Sequence, residues 1–507
     1  MKFFNKERNF ILLLLLIAIM FITFFSTSTS PLYGTGDFDS CGYILMGMEL
    51  AEGRVPYLTI SDNKGPVLWL IEGIGQFLIK GKTGVYLIQC CFMFLSLLFI
   101  TKAVKELFNI SKIKQFICCL VYLTTIASMY MGGNLTEEFS LFFIIMSLYV
   151  VTLFINKKIS YFKIGLVLSI DIMCVVFIRI NDSLSIIYMW ILVLLTVLFN
   201  NKDKLKSLKA FLFGNLSGFL LVCVPIIVFY GINHALFNII DDYFVIGMGY
   251  ARNNLNLMDG IVQRTRLLFA TSYGNVLLTS FIFTIVSICV YYYSKESKNK
   301  LIIPLIIGIN ISVIIAAIIK PKEYAHYLMP VSISYLLATA LFLNIYQILS
   351  KEFWKRKEIV FVLFTLSIIL INANLIGYMF SNFKSIILYD IILKNNYKVD
   401  NAYKELAEVI PDEEKNNGLA FRSPKWYLVT GTRPFIKYIW TDTLVYNEKE
   451  LDAFLEYLKE NPPKWLFITD EKELYLLGEE AYNFFNENYI KEKENSIGKI
   501  YFYVTEY

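Results

Sequence analysis

Five short polar clusters interrupt long apolar runs in this chain, and their residue types are those of acid–base and phosphate chemistry. They are Asp37-Phe38-Asp39-Ser40, Ser61-Asp62-Asn63-Lys64-Gly65-Pro66, Gly132-Gly133-Asn134-Leu135-Thr136-Glu137-Glu138, Arg179 with Asn181 and Asp182, and Lys320, Lys322, Glu323, Tyr324, His326 and Tyr327. Carboxylates beside cations suit a reaction in which an acid group removes a proton while Lys or Arg holds an anionic lipid phosphate. Each residue also has a plainer structural reading. Asp37 can shape a turn after Gly36, and Asp39 can cap the helix it opens. Lys64 can snorkel to a membrane interface. Glu137 and Glu138 sit well against the dipole of a first helical turn. Arg179 can anchor to headgroups, and His326 can pack between its tyrosines.

The elements that carry these clusters follow from composition. The 507 residues are 56% hydrophobic and only 18% charged, with a mean hydropathy of +0.55. That excludes a disordered or fibrous chain and an ordinary soluble enzyme. Apolar runs near 9–25, 84–104, 113–131, 138–155, 161–178, 183–199, 210–230, 272–293, 301–319, 328–349 and 359–380 predict about eleven membrane spans. The first run lacks a small-x-small cleavage site and is too long for a signal h-region, so it reads as a retained helix. Every second connection is basic, with Lys102, Lys105, Lys112 and Lys114; Lys157, Lys158 and Lys163; Lys202 to Lys209; Lys295 to Lys300; and Lys351 to Lys357. Lys and Arg in short loops mark the cytoplasmic side, which puts the amino terminus inside and residues 381–507 outside. Of the cysteines, only Cys41 lies in a loop, so no disulfide framework is expected.

The fold class expected is therefore mainly α: a polytopic membrane helical bundle over 1–380, with a first outer loop at 28–83, and a small extracytoplasmic α/β domain over 381–507. From Ser381 onward there are 16 Lys and Arg against 22 Asp and Glu, a balance of −6 that leaves +11 for the rest. Within this tail Gly418–Arg422, Trp426–Thr430, Trp465–Thr469 and Lys499–Val504 read as strands, and Glu448–Glu460 reads as an amphipathic helix. In the first outer loop, 40–52 and 67–79 read as two helices lying in the membrane interface, the second being too short to span. The charge-derived topology brings Asp37, Asp39, Asp62, Lys64, Glu137, Glu138, Arg179 and His326 to one side of the membrane. Asp171 stands alone at depth in a span, where a carboxylate pairs or lines a wet cavity. His234, Arg252, Arg264 and Arg266 belong to a long fourth outer loop. No aromatic-interleaved basic patch suggests nucleic acid.

This arrangement resembles the C-type (GT-C) glycosyltransferases that use polyprenyl-phosphate-linked sugars, the superfamily of protein O-mannosyltransferases, aminoarabinose transferases and galacturonosyltransferases. The matching elements are Asp39 with Tyr43 four positions on, Pro56-Tyr57, the acid/Lys/Pro turn Asp62-Asn63-Lys64-Gly65-Pro66, the Gly132–Glu138 segment and Tyr324–Tyr327. Departures are Ser40 where many members have Glu, Gly42 where they have Arg, and Gly65 in place of a Pro. These leave the divalent metal site of some relatives without assigned ligands here, so a metal cofactor stays open.

The resemblance implies Asp39 as the general base, with Asp62 and one of Glu137 and Glu138 as further catalytic acids. It implies Tyr43, Lys64, Tyr324, His326 and Tyr327 as substrate-binding, with Lys64 on the donor phosphate, and the charge-derived topology adds Asp37 and Arg179 as substrate-binding candidates. The expected partners are a polyprenyl-phosphate-sugar donor and an envelope glycan, lipid or protein acceptor. Three rival readings are a transporter or flippase, which needs midplane sites and related halves, an envelope polysaccharide polymerase, and a receptor or scaffold acting through its outer domain.

Overall fold

In lipid, every backbone N–H and C=O must find its partner inside its own segment, so the apolar runs fold as helices. The structure, a computed structural model, describes residues 7–36, 38–200, 203–247, 272–293, 301–319, 324–352, 376–440 and 448–504, with single positions at 259, 262, 263, 265, 266, 373 and 444. Among these, seven helices are long and apolar enough to cross a membrane: Glu7–Phe25, Lys82–Phe108, Thr136–Ile155, Ile180–Phe199, Lys204–Ile232, Ile302–Ile319 and Ala325–Asn344. The chain is a multi-pass membrane protein. Two further expected spans, Lys112–Ala127 and Tyr161–Val176, are helices of 16 residues each, and Ser272–Tyr293 is a helix of 22. The run expected over 359–380 lies mostly outside the described residues. Its end continues as a helix, Ile376–Ile392, which bends by 47° into Asn395–Ala407.

Both short helices of the first outer loop are present, as Phe38–Ala51 and Pro66–Leu78. The second turns Val67, Leu68, Trp69 and Ile71 inward and leaves Leu70, Ile74, Phe77 and Leu78 exposed. An apolar outer stripe on a helix of 13 residues is what an interfacial helix offers to lipid.

The carboxy-terminal segment holds a four-stranded sheet in the order β1-β2-β4-β3, where β1 is Gly418–Ala420, β2 Trp465–Ile468, β3 Tyr489–Asn495 and β4 Gly498–Tyr503. Strands β1 and β2 are parallel, and the other pairs are antiparallel. Period-two alternation splits its apolar residues between two faces. Ala420, Trp465, Phe467 and Ile500 join the core that runs on into the membrane helices, whereas Leu419, Phe421, Leu466 and Ile468 pack with Phe454, Leu458 and Phe485. The helix Glu448–Glu460 lies where its periodicity predicts it. One expected strand is corrected: Trp426–Thr430 belongs to a helix, Pro424–Thr430, with Pro424 in its first turn and Gly431 ending it in the left-handed region. Trp426 there stacks on Phe467 at 4.3 Å. Strand β3 was not expected, because its sequence, YIKEKEN, is mostly charged.

Candidate active site

The site begins with Phe38–Ala51, whose first turn carries Asp39 at the solvent-exposed end and, one turn on, the buried Tyr43. Burial pushes the Tyr43 hydroxyl well above the ordinary phenol range. Asp39, Asp62 and Glu137 act in the same direction, with Arg179 opposing them. The Tyr43 hydroxyl thus feels four of the sequence-selected charges, contributed by four separate segments. Lys64 completes the ring, with its ammonium 5.7 Å from the Tyr43 ring centroid.

Lys64 is held by its own loop. Its Nζ lies 3.6 Å from Asp62 Oδ1 and donates to Asn63 Oδ1 at 2.5 Å. Its carbonyl accepts from the Tyr57 hydroxyl at 2.5 Å, and that hydroxyl in turn accepts from Trp69 Nε1 at 2.9 Å. The Pro56-Tyr57 pair therefore pins the lysine's backbone, with Tyr57 fully buried in the left-handed region at φ 71°. Asp62 Oδ1 accepts from the Asn63 amide, while Oδ2 is buried without a hydrogen-bond partner. Gly65 packs against the end of Tyr161–Val176. A Cβ added there would lie 2.1 Å from the Phe177 carbonyl oxygen, and the Val67 amide donates to that same carbonyl at 3.0 Å. Glycine at this place in the turn lets the loop that carries Lys64 seat itself beside Arg179.

Glu137 and Glu138 are successive residues of one helix, so their side chains diverge by roughly 100° and serve different neighbours. Glu137 is buried and pairs with Arg179 Nη1 at 2.8 Å. Thr136 Oγ1 donates to Glu137 and accepts from Arg179. The guanidinium also lies 4.3 Å from the centroid of the Tyr327 ring. Burial alone would lower the Arg179 pKa, but Glu137, Tyr327 and Asp182 hold it above its ordinary value. Tyr327 meets His326 edge-on at 4.6 Å, and His326 stacks against the exposed Tyr324 at 5.5 Å. His326 Nδ1 lies 3.3 Å from Met131 Sδ. The Tyr324–Tyr327 segment therefore continues the same ring of residues.

Glu138 faces away from that ring. It accepts from Tyr130 Oη at 2.6 Å, from Gln89 Nε2 at 2.8 Å and from the Asn134 amide at 3.0 Å. Asn134 Nδ2 then donates to Ser40 Oγ at 2.9 Å, beside Asp39. Four consecutive left-handed residues, Met131, Gly132, Gly133 and Asn134, make this connection, and it ties the third cluster to the first. Gln89 carries no signal in the sequence, because a lone Gln in an apolar run has no spacing to betray it. Glu72 was likewise missed: it is completely buried, and neither carboxyl oxygen has a hydrogen-bond partner.

Asp171 is buried at depth and accepts from Ser147 Oγ at 2.6 Å, apart from the outer cluster. Asp37, Lys320, Lys322, Glu323, Arg252 and Arg264 lie outside the described residues, and His234 and Arg266 are exposed. Among the described residues no three His, Cys, Asp or Glu side chains gather as a metal site requires.

No protein-family profile matches the sequence, and no curated protein matches it either. Solved structures do match. ArnT from Cupriavidus metallidurans bound to undecaprenyl phosphate superposes with a TM-score of 0.54 at 10% identity, covering 98% of each chain. The apo state of the same protein gives 0.52 at 10% identity over 97% of each. An oligosaccharyltransferase from Archaeoglobus fulgidus gives 0.46 at 13% identity, covering 99% of this chain and 74% of that one. With so little shared sequence and nearly complete coverage of both chains, what the ArnT comparison establishes is architecture: this chain shares the fold of ArnT, a helical membrane bundle of the GT-C-like kind expected from the sequence.

Proposed function

We propose that this protein is an inverting glycosyltransferase that moves a sugar from a polyprenyl-phosphate donor to a hydroxyl of an envelope glycan, lipid or protein on the outer face of the membrane. The observation that carries the reading is the set of charges acting on Tyr43, among them an exposed carboxylate, Asp39, together with a tethered ammonium, Lys64, near the Tyr43 ring. The binding of undecaprenyl phosphate by ArnT, a chain of the same fold, supports a donor of that class. The alternation of lysines between loops supports the outward orientation, and with it an outer location for residues 381–507.

In this reaction Asp39 takes the proton of the acceptor hydroxyl as the oxygen attacks the anomeric carbon from the face opposite the phosphate. The bond from that carbon to the phosphate oxygen breaks, its electron pair leaves with the phosphate, and Lys64 neutralises the charge that develops. Arg179 is paired with Glu137 at 2.8 Å, closer than the 3.6 Å between Lys64 and Asp62, so Lys64 is the more available phosphate cation, and the Arg179–Glu137–Tyr327 set forms the wall beside it. The partnerless Oδ2 of Asp62 accepts from a hydroxyl of donor or acceptor. Glu138 braces the Asn134–Ser40 connection.

The test is Asp39→Asn, which keeps shape and removes basicity. Transfer from a polyprenyl-phosphate sugar should fall by about 10²–10⁴-fold while membrane insertion is unchanged. Near wild-type turnover would falsify the assignment. Offering polyprenyl-pyrophosphate-linked repeats in parallel separates this reaction from that of a polysaccharide polymerase.

A further inference from the structure

The strand of chain that delivers Asp39 has no secondary structure of its own. Residues 30–36 run between the first span and the first interfacial helix as turns and bends. Buried backbone of this kind must find its hydrogen-bond partners elsewhere, and here they come from two directions. From the membrane side, Lys82 Nζ donates to the carbonyls of Ser30, Tyr33 and Gly34. From the carboxy-terminal side, Thr35 is gripped at both of its peptide groups. Its amide donates to Asp400 Oδ2 at 2.7 Å, and its carbonyl accepts from Lys425 Nζ at 2.5 Å.

Asp400 and Lys425 also lie 3.3 Å apart, with side chains only 12% and 9% exposed. Moving such a pair out of water is costly, and pairs of this kind persist where they fix a unique arrangement. Local helix stability does not explain Lys425, which stands in the first turn of Pro424–Thr430, the end at which a cation is unfavourable. Gly34 closes the contact: a Cβ there would lie 2.7 Å from the backbone of Asn396 and Tyr397. The other arm of the site is held by the same segment. The Ser61 amide donates to the Lys437 carbonyl, and Asp242 receives both the Ser61 hydroxyl at 2.6 Å and the Lys437 ammonium at 3.4 Å. Ser61 immediately precedes Asp62.

We infer that Asp400 and Lys425 are positioning residues of the transfer site: they clamp Thr35, four residues before Asp39, so that residues 395–440 form part of the catalytic framework as well as being open to an acceptor-binding role. The inference rests on the function proposed above for Asp39. A clamp acting on the base changes turnover and leaves donor binding, which is Lys64's task, largely as it was.

The experiment compares Asp400→Asn, Lys425→Met and Lys425→Arg in the full-length membrane protein. Asp400→Asn and Lys425→Met should each lower kcat by about tenfold or more with donor KM within about threefold. The double variant should be no worse than either single one, as expected for partners in one contact, and Lys425→Arg should restore most of kcat. Hydrogen exchange adds a readout independent of activity. The peptide spanning 28–45 should lose protection in Asp400→Asn and Lys425→Met, while the peptide spanning 66–78 keeps it. Unchanged kcat together with unchanged protection in the isosteric Asp400→Asn variant overturns the clamp. An active Asp39→Asn protein instead overturns the transferase reading, and the exchange result then still decides whether the clamp exists.

Discussion

At the scale of single residues, Glu72 is the least expected group in the structure. It lies on the interfacial helix Pro66–Leu78 with no exposure and no hydrogen-bond partner on either oxygen. Burial pushes its carboxyl well above the ordinary value of 4.5, opposed by the neighbouring Asn134 side chain. Its folded state therefore favours the neutral acid. The sign of the consequence follows from linkage: because the folded pKa is raised, the stabilising contribution is complete below pH 4.5 and is lost as pH rises toward the folded value. Glu72→Gln reproduces the neutral acid. It should leave stability near neutral pH equal or higher and flatten the pH dependence of thermal unfolding in detergent above about pH 4.5. Glu72→Lys should prevent insertion or folding. A steeper pH dependence in Glu72→Gln would count against a buried neutral carboxyl.

At the scale of elements, the first interfacial helix was legible from its amphipathic pattern, and the second because an apolar run of about 13 residues after Gly65 and Pro66 is too short for a span. What the pattern did not carry was the seating of their ends. Gly65 lies against the Phe177 carbonyl with no room for a Cβ, so Gly65→Ala should cost about 1–3 kcal/mol through a forced backbone shift. Because Lys64 moves with it, donor KM should rise more than kcat falls. Thermal unfolding and steady-state kinetics on the same preparation test this, and an unchanged KM refutes the coupling.

The segment Trp426–Thr430 shows the opposite case. Its aromatic and β-branched residues read as a strand, yet Pro424 in the first turn and the Trp426 stack on Phe467 make it a helix. Local propensity yields here to tertiary packing. Strand β3 escaped for a complementary reason, since it is an edge strand whose charged side chains blunt further pairing.

At the scale of the whole molecule, lysine alternation predicts which side each loop occupies, and labelling tests it. A membrane-impermeant maleimide added to intact cells should modify Leu476→Cys, an exposed position in the carboxy-terminal segment, and should reach Lys157→Cys only after the membrane is opened. Labelling of both from outside refutes the orientation on which the proposed outer-face reaction depends.

The sequence by itself determined that this is a helical membrane protein and that its scarce charges collect in a few loops, and it predicts one side of the membrane for Asp39, Lys64, Glu137, Arg179 and His326. Hydrophobic periodicity and charge sorting are local properties of the chain, so they can be read along it. The tertiary structure decided which of the adjacent pair, Glu137 and Glu138, faces Arg179 and which braces the Asn134 turn. It also disclosed the buried Glu72, the Gln89 contact and the Asp400–Lys425 grip on Thr35. These depend on groups brought together from as far apart as Thr35 and Lys425. No spacing encodes such a meeting; it exists only once the chain has closed on itself and each buried polar group has had to find a partner or remain without one.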